Sequence, residues 1–144
     1  MASFTYKQRK ITDLIAKEAN SSFSGWARAV ATVTLTGSQV LTLGTLLQRE
    51  KSPEGDAPWV LATKAGLVIT NEFAIVIADH LGEQVDVTGA GEQKVTVIYI
   101  GPVVVKDYTL FEAIDKQWTT TDEDKASIKR LLAAQQVVAE VTIK

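Results

Sequence analysis

The chain has 144 residues, 46% hydrophobic and 22% charged, which indicates a single folded domain with one core and argues against disorder. Its lack of cysteine excludes disulfides, thiolate nucleophiles and thiolate metal sites. A net charge of −2 argues against nucleic acid as a partner, and the apolar runs fall well short of the roughly 20 residues of a membrane-spanning helix.

The first part of the chain is basic, whereas the rest is net negative. Lys7, Arg9 and Lys10 stand among the first ten residues without any acid. Behind them, apolar residues recur at helical spacing and predict a short helix over about Thr12–Glu18. Residues 20–25 are mainly of the types that favour turns, so this stretch predicts a linker.

A boundary near residue 25 therefore divides the chain. We predict an N-terminal arm over residues 1–25, made of the short helix and the linker, and a β-rich domain over residues 26–144. The basic start is not followed by the apolar segment of about 7 to 15 residues that a secretory signal peptide needs. We therefore expect the protein to be cytoplasmic when it is made.

Alternating apolar and polar residues predict a hairpin at the start of the domain. Residues 27–35 read as a half-buried strand, and residues 36–39 supply a turn. Residues 40–48 return as a second strand, in which Gly44 predicts a bulge or a close approach of the backbone.

Three further strands are predicted in the middle of the chain. Residues 51–58 hold two of the three prolines and predict a surface loop. Strands follow at about Trp59–Thr63, Phe73–Ala78 and Lys94–Ile100, and residues 87–92 predict a turn between the last two.

The end of the chain predicts a helix and then a strand. Thr120–Glu123 matches a capping box, and Ile128, Leu131 and Leu132 lie on one helical stripe behind it. From Ala139 onward the alternation returns. We therefore predict a mainly β fold with minor α content: a β-rich body with an N-terminal arm and one C-terminal helix.

A search for catalytic or metal-binding residues yields no complete set. His80 beside Asp79 can contribute to a metal or an acid–base site, but nothing at suitable spacing completes either, which favours a solvated or hydrogen-bonded loop histidine. Gly89–Gly91 lacks the lysine of a phosphate loop. The acids Asp122–Asp124 can suggest a cation site, but acids in a first helical turn favourably meet the helix dipole. We predict no catalytic, cofactor or metal site.

Four stretches, taken in order, carry a resemblance to a known family. They are Leu41–Leu47 after the first strand, Phe73–Ala78 before an acidic turn, Gly101–Val105, and Thr120–Val138 as a capped helix running into a short strand. In this order they resemble the head decoration, or cement, proteins of tailed bacteriophages, including the lambda-type decorators. The likeness spans most of residues 26–144.

The resemblance implies that the body is a small β-barrel or β-tulip-like fold, and that the protein is structural and not an enzyme. Such a protein binds the outer surface of the phage head, usually as a homotrimer over local symmetry axes, and its N-terminal arm reaches onto the major capsid protein. It implies the virion as the final location, and no cofactor, nucleic acid, membrane or small-molecule substrate. This chain departs from the lambda-type pattern because its arm is basic and has helical spacing.

Aromatic and basic side chains of the arm are the predicted capsid contacts. Aromatic residues are enriched at protein interfaces, and basic residues can pair with an acidic capsid surface. The alternative is that the aromatic residues fold back onto the sheet of the body and the basic residues are solvated. The predicted contact residues are Phe4, Tyr6, Lys7, Arg9, Lys10, Phe23 and Trp26.

Other classes of protein stay open. A small β-barrel module that binds a glycan or a peptide would use exposed aromatic residues such as Trp59 or Trp118. Another virion component, such as a tail or head–tail joining protein, would share this composition and form a ring. A compact enzyme is disfavoured by the single histidine and the missing cysteines.

Overall fold

The computed structural model describes residues 14–18, 28–36, 40–52, 57–79, 87–88 and 90–140, which are mainly β, as predicted. In chain order the elements are β1 (Ile15–Glu18), β2 (Arg28–Leu35), β3 (Val40–Leu41), β4 (Leu46–Glu50), β5 (Val60–Leu61), a 3₁₀ turn (Lys64–Gly66), β6 (Asn71–Asp79), β7 (Val87–Thr88), β8 (Gly91–Ile98), β9 (Val103–Lys106), α1 (Asp107–Ile114), α2 (Asp122–Ala133) and β10 (Val137–Glu140).

Five strands form an antiparallel sheet, the curled sheet, in the order β2-β8-β6-β4-β5. Its two edges meet where Trp59, just before β5, makes a parallel bridge to Val33 of β2. The N–H of Thr34 donates to the carbonyl of Trp59 over 2.9 Å, and the N–H of Trp59 donates to the carbonyl of Thr32 over 3.3 Å. The sheet therefore closes on itself at this point, as a small barrel does.

The inner face of the curled sheet holds one apolar cluster, the interior cluster. Its members alternate along the strands with residues that face outward, which is the period-two pattern read from the sequence. The buried members are Ala31, Val33, Leu35, Leu41, Leu47, Trp59, Ala74, Val76, Val95 and Val97.

A second apolar cluster, the outer cluster, lies between the other face of the curled sheet and the two helices. Phe73 and Ile75 of β6 and Ile98 of β8 contribute to it from the sheet, with Ile114 of α1 and Leu132 of α2 opposite. Strand β6 is buried on both faces, since its alternate residues belong to the two clusters. This explains its unbroken apolar run, which is typical of a strand covered on both sides.

A small three-stranded sheet, in the order β1-β9-β10, adjoins the outer cluster. Strand β1 is antiparallel to β9, whereas β10 is parallel to it. The two helices form the crossover between β9 and β10, because parallel neighbours cannot be joined by a tight turn. Strands β3 and β7 pair in a separate two-stranded sheet.

The helix predicted near the N-terminus is wrong over the described residues. Ile15–Glu18 is a strand, and Leu14, which begins the apolar stripe of the described part, is 0% exposed in the outer cluster. A helix of this length is only marginally stable by itself, so pairing with β9 determines that Ile15–Glu18 is a strand. Part of the segment assigned to the arm thus packs in the body.

The predicted hairpin is also wrong, although its strands exist. Strand β2 pairs with β8, and β3 pairs with β7. Gly44 divides the predicted second strand, because its φ of +93° turns the chain between β3 and β4. Residues 87–88 are a strand where the sequence predicted a turn, and residues 37–39 and 53–56 lie outside the described residues.

The helices differ from the prediction in two ways. Helix α1 was not predicted, so the described residues contain a second helix beside the predicted C-terminal one. The N-cap of α2 is Thr121, with Asp124 as its reciprocal partner, one residue later than the predicted box.

Candidate interaction surfaces

A half-buried ion pair lies at one end of the curled sheet. Arg49 of β4 and Glu72 of β6 are directly opposite each other, and their Nε and Oε1 atoms are 2.5 Å apart. The guanidinium carbon of Arg49 lies 4.2 Å from the ring centroid of Trp59 and 5.7 Å from that of Tyr99. Because Trp59 makes the bridge that closes the sheet, this charged cluster stabilises the closure. The charges of Arg49 and Glu72 are therefore engaged with each other.

Asp124 joins three parts of the chain at the start of α2. Its side chain is 7% exposed, accepts from the N–H of Thr121 over 3.1 Å and from Nε1 of Trp118 over 3.3 Å, and lies 3.8 Å from Nζ of Lys64. The bond from the backbone of Thr121, followed by the bond from Trp118 and the charge of Lys64, lowers the pKa of this carboxyl despite its burial. The acid therefore serves the helix start, as the sequence suggested.

Two glutamine side chains attach the helical region to the curled sheet. Gln117 accepts from the N–H of Leu46 over 2.8 Å and donates to its carbonyl over 2.9 Å. Gln135 accepts from the N–H of Phe73 over 2.8 Å and donates to the carbonyls of Phe73 and Tyr99. The amide of Gln135 thus replaces a strand neighbour for main-chain groups of β6. Gln117 does so for the N–H of Leu46, whose carbonyl also accepts from the N–H of Ala62 over 3.0 Å.

Exposed aliphatic side chains flank a groove at the end of the molecule near Tyr99. Ile69, in the turn before β6, is 76% exposed, and Ile100, in the loop before β9, is 52% exposed. The groove, which we call the aliphatic groove, has a volume of about 480 Å³. It is lined by Lys51, Ile69, Asn71, Glu72, Ile100, Leu131, Ala134, Gln135 and Gln136. Exposed aliphatic side chains around a concavity are a common feature of protein–protein interfaces.

The sequence did not single out this groove. Ile100 was placed at the end of a predicted strand, and Val68 and Ile69 lie between the predicted strands, where no periodic pattern includes them. The available signal was two β-branched residues in succession inside a predicted connection, since connections are usually polar.

The residues predicted to contact a capsid all lie outside the described residues, as does His80. They are Phe4, Tyr6, Lys7, Arg9, Lys10, Phe23 and Trp26. The two tryptophans proposed for a binding module are described and do not fit that use. Trp59 is 4% exposed and offers no free aromatic face, whereas Trp118 is half-buried, packs against the outer cluster and donates to Asp124.

Within the part of the chain that the structure describes, no three acidic or histidine side chains cluster as metal ligands would. None of the helices found there is long and apolar enough to cross a membrane. No protein-family model, curated protein or solved structure matches the chain.

Proposed function

We propose that the chain is a structural decoration, or cement, protein of a tailed-bacteriophage head. It binds the outer surface of the head and stabilises contacts between subunits of the major capsid protein. As the resemblance implies, it resides in the host cytoplasm before assembly, and it then acts on the virion as a homotrimer over local symmetry axes of the lattice.

The four stretches that carry the resemblance contact one another, which supports treating them as one unit. Strand β4, in the first stretch, pairs with β6, the second. Gln135, in the fourth stretch, bonds the main chain of Phe73 in the second. Strand β9, in the third, pairs with β10 at the end of the fourth. The likeness therefore belongs to a continuous part of the body.

The observation that carries the proposal is the aliphatic groove. Ile69 is 76% exposed and Ile100 is 52% exposed. Burial of such a side chain against a partner contributes about 1.5–3 kcal/mol, so a partner that covers the groove gains this free energy. By contrast, the charges of Arg49, Glu72 and Asp124 are already paired within the chain. A contact of this size per copy is weak alone, and many copies on a repeating lattice make it effective.

The arm supplies the second contact. Leu14 is fully buried, and its carbonyl accepts from the N–H of Lys106 over 2.7 Å, so the part of the arm assigned here to the capsid is residues 1–13. A fully extended segment of 13 residues spans at most about 45 Å. It carries Phe4, Tyr6 and the basic residues, which can bind an acidic capsid surface.

Co-sedimentation of the purified protein with undecorated, expanded phage heads tests the proposal. We expect saturable binding that raises the melting temperature of the heads. The double variant Ile69→Thr with Ile100→Thr should weaken binding, whereas Val30→Thr, at an aliphatic residue 62% exposed elsewhere, should not. Deletion of residues 2–10 should also abolish binding while leaving Leu14 and β1 in place. Absence of saturable binding by the full chain to cognate heads would overturn the proposal.

A further inference from the structure

The two edges of the small sheet are unequal. The edge strand β1 contains Lys17 and a register shift between Ile15 and Lys17, and both features protect an edge from pairing with another chain. The other edge strand, β10, pairs with β9 in regular register over all four residues and contains neither lysine nor proline. Of the two edges of the small sheet, β10 therefore offers the unprotected one.

The direction of the main-chain groups of β10 follows from its pairing. The N–H of Val103 donates to the carbonyl of Gln136 over 3.1 Å, while the N–H of Lys106 points the other way, to Leu14. In a parallel ladder this pattern turns the groups of Val138 toward β9 and those of Val137 and Ala139 away from it. No described residue bonds these outward N–H and C=O groups.

We infer that β10 is a self-association edge, which pairs antiparallel with β10 of a second copy about a two-fold axis through Val138. In this register Val137 of each copy faces Ala139 of the other, and both residues point their main-chain groups outward. Each such pair exchanges two N–H to C=O bonds, so the outward groups of one edge satisfy those of the other. The two small sheets become one continuous sheet.

Side chains favour the same register. Val138 is 47% exposed, and the two-fold axis places it beside its own copy, where both side chains lose water contact. Glu140, the only charged residue of β10, then lies opposite Gln136 of the second copy and not opposite another Glu140. The register therefore avoids opposing like charges, which destabilise strand pairs. This self-complementarity favours a second copy over an unrelated strand.

The inference does not depend on the proposed role on a phage head. A two-fold contact and three-fold association use different symmetry axes, so one assembly can contain both. On a lattice, the two-fold contact would link a subunit of one trimer to a subunit of another.

Disulfide trapping tests the inference, because the natural chain has no cysteine. Val138→Cys places one thiol at the proposed axis, where directly opposed residues of a non-hydrogen-bonded pair have the separation that a disulfide needs. We expect a covalent dimer under mild oxidation, formed roughly tenfold faster than for Val30→Cys, which exposes a thiol on β2. Equal cross-linking of the two variants would overturn the inference.

A second variant separates strand pairing from chance collision of thiols. Ala139→Pro in the Val138→Cys background removes an N–H that points away from β9, and proline is tolerated where the N–H of an edge strand faces outward. It should leave the far-ultraviolet circular dichroism unchanged and abolish the fast cross-linking. Fast cross-linking that survives in the folded double variant would contradict the proposed register. Binding of phage heads without cross-linking would refute this inference alone, whereas cross-linking without binding would refute the capsid role alone.

Discussion

Gly44 shows how one residue sets the connection between two strands. Its φ is +93°, and a Cβ atom there would lie 2.9 Å from Cβ of Ala113 in α1. Gly91 has a similar φ of +89°, but a Cβ atom at that position would meet nothing within 4 Å. Comparing substitutions at these two glycines thus separates the cost of the backbone conformation from the cost of a close contact.

We predict that Gly44→Ala destabilises the protein more than Gly91→Ala does. Both substitutions place a side chain in a region that costs about 1–2 kcal/mol. Gly44→Ala adds a clash with α1, so its total loss should be about 2–4 kcal/mol. The free energy of unfolding in urea measures both effects, and equal losses for the two variants would mean that α1 can move away without cost.

The aliphatic groove also belongs to the residue scale, and it marks a limit of sequence reasoning. Periodicity reports which residues of a strand are buried, but Ile69 and Ile100 lie in connections, where no period applies. Their exposure depends on the place at which the turn before β6 and the loop before β9 meet α2. That meeting is a tertiary property, so the sequence carried only the signal of Val68 and Ile69 in a predicted connection and could not place them at a groove.

The start of α2 is the element whose stability should depend on pH. The pKa of Asp124 is lowered in the folded protein, chiefly by the hydrogen bond from the backbone of Thr121. A depressed carboxyl pKa stabilises the folded state fully above the unfolded value near 4, and the contribution is lost as the pH falls through the folded pKa. Acid should therefore weaken the contact between α2, Trp118 and Lys64.

We predict that Asp124→Asn lowers the free energy of unfolding at pH 7 and flattens its decrease between about pH 5 and pH 2. Asp122→Asn, at an exposed acid of the same helical turn, is the matched control and should retain the steep decrease. Asp115, whose pKa is also lowered by its bond from Thr120, remains in both variants. Urea unfolding across this pH range measures the effect, and parallel curves for the two variants would contradict it.

The elements differ in how well the sequence predicts them, for physical reasons. Strands β2 and β8 and helix α2 were predicted because their apolar periods reflect burial on a fixed face, and β6 because its unbroken apolar run reflects burial on both faces. Strand β1 was not, because Leu14 and Ile15 fit a helical stripe equally well and pairing with the distant β9 decides between the two. The hairpin failed for the same reason, since β2 pairs with β8 across a long stretch of sequence. Helix α1 lacks a side-chain N-cap, which removed its strongest local signal.

At the scale of the whole molecule, β6 lies between the two apolar clusters and contributes side chains to both. Ile75 belongs to the outer cluster and Val76 to the interior cluster, and both are 0% exposed. If β6 separates from the residues of one cluster, its contacts in the other cluster are lost as well. Gln117 and Gln135 add hydrogen bonds from the helical region to β4 and β6. The two clusters should therefore unfold as one cooperative unit.

We predict that Ile75→Ala and Val76→Ala each lower the free energy of unfolding by about 2–4 kcal/mol, because each leaves a cavity in a buried cluster. Native-state hydrogen exchange should record the same loss in β2, which contributes to the interior cluster, and in α2, which contributes to the outer one. Each variant is the control for the other, because Ile75 and Val76 are adjacent in β6 and belong to different clusters. If Val76→Ala weakened the protection of β2 and left α2 unchanged, the clusters would be independent, and α1 and α2 would be a separately stable layer on the curled sheet.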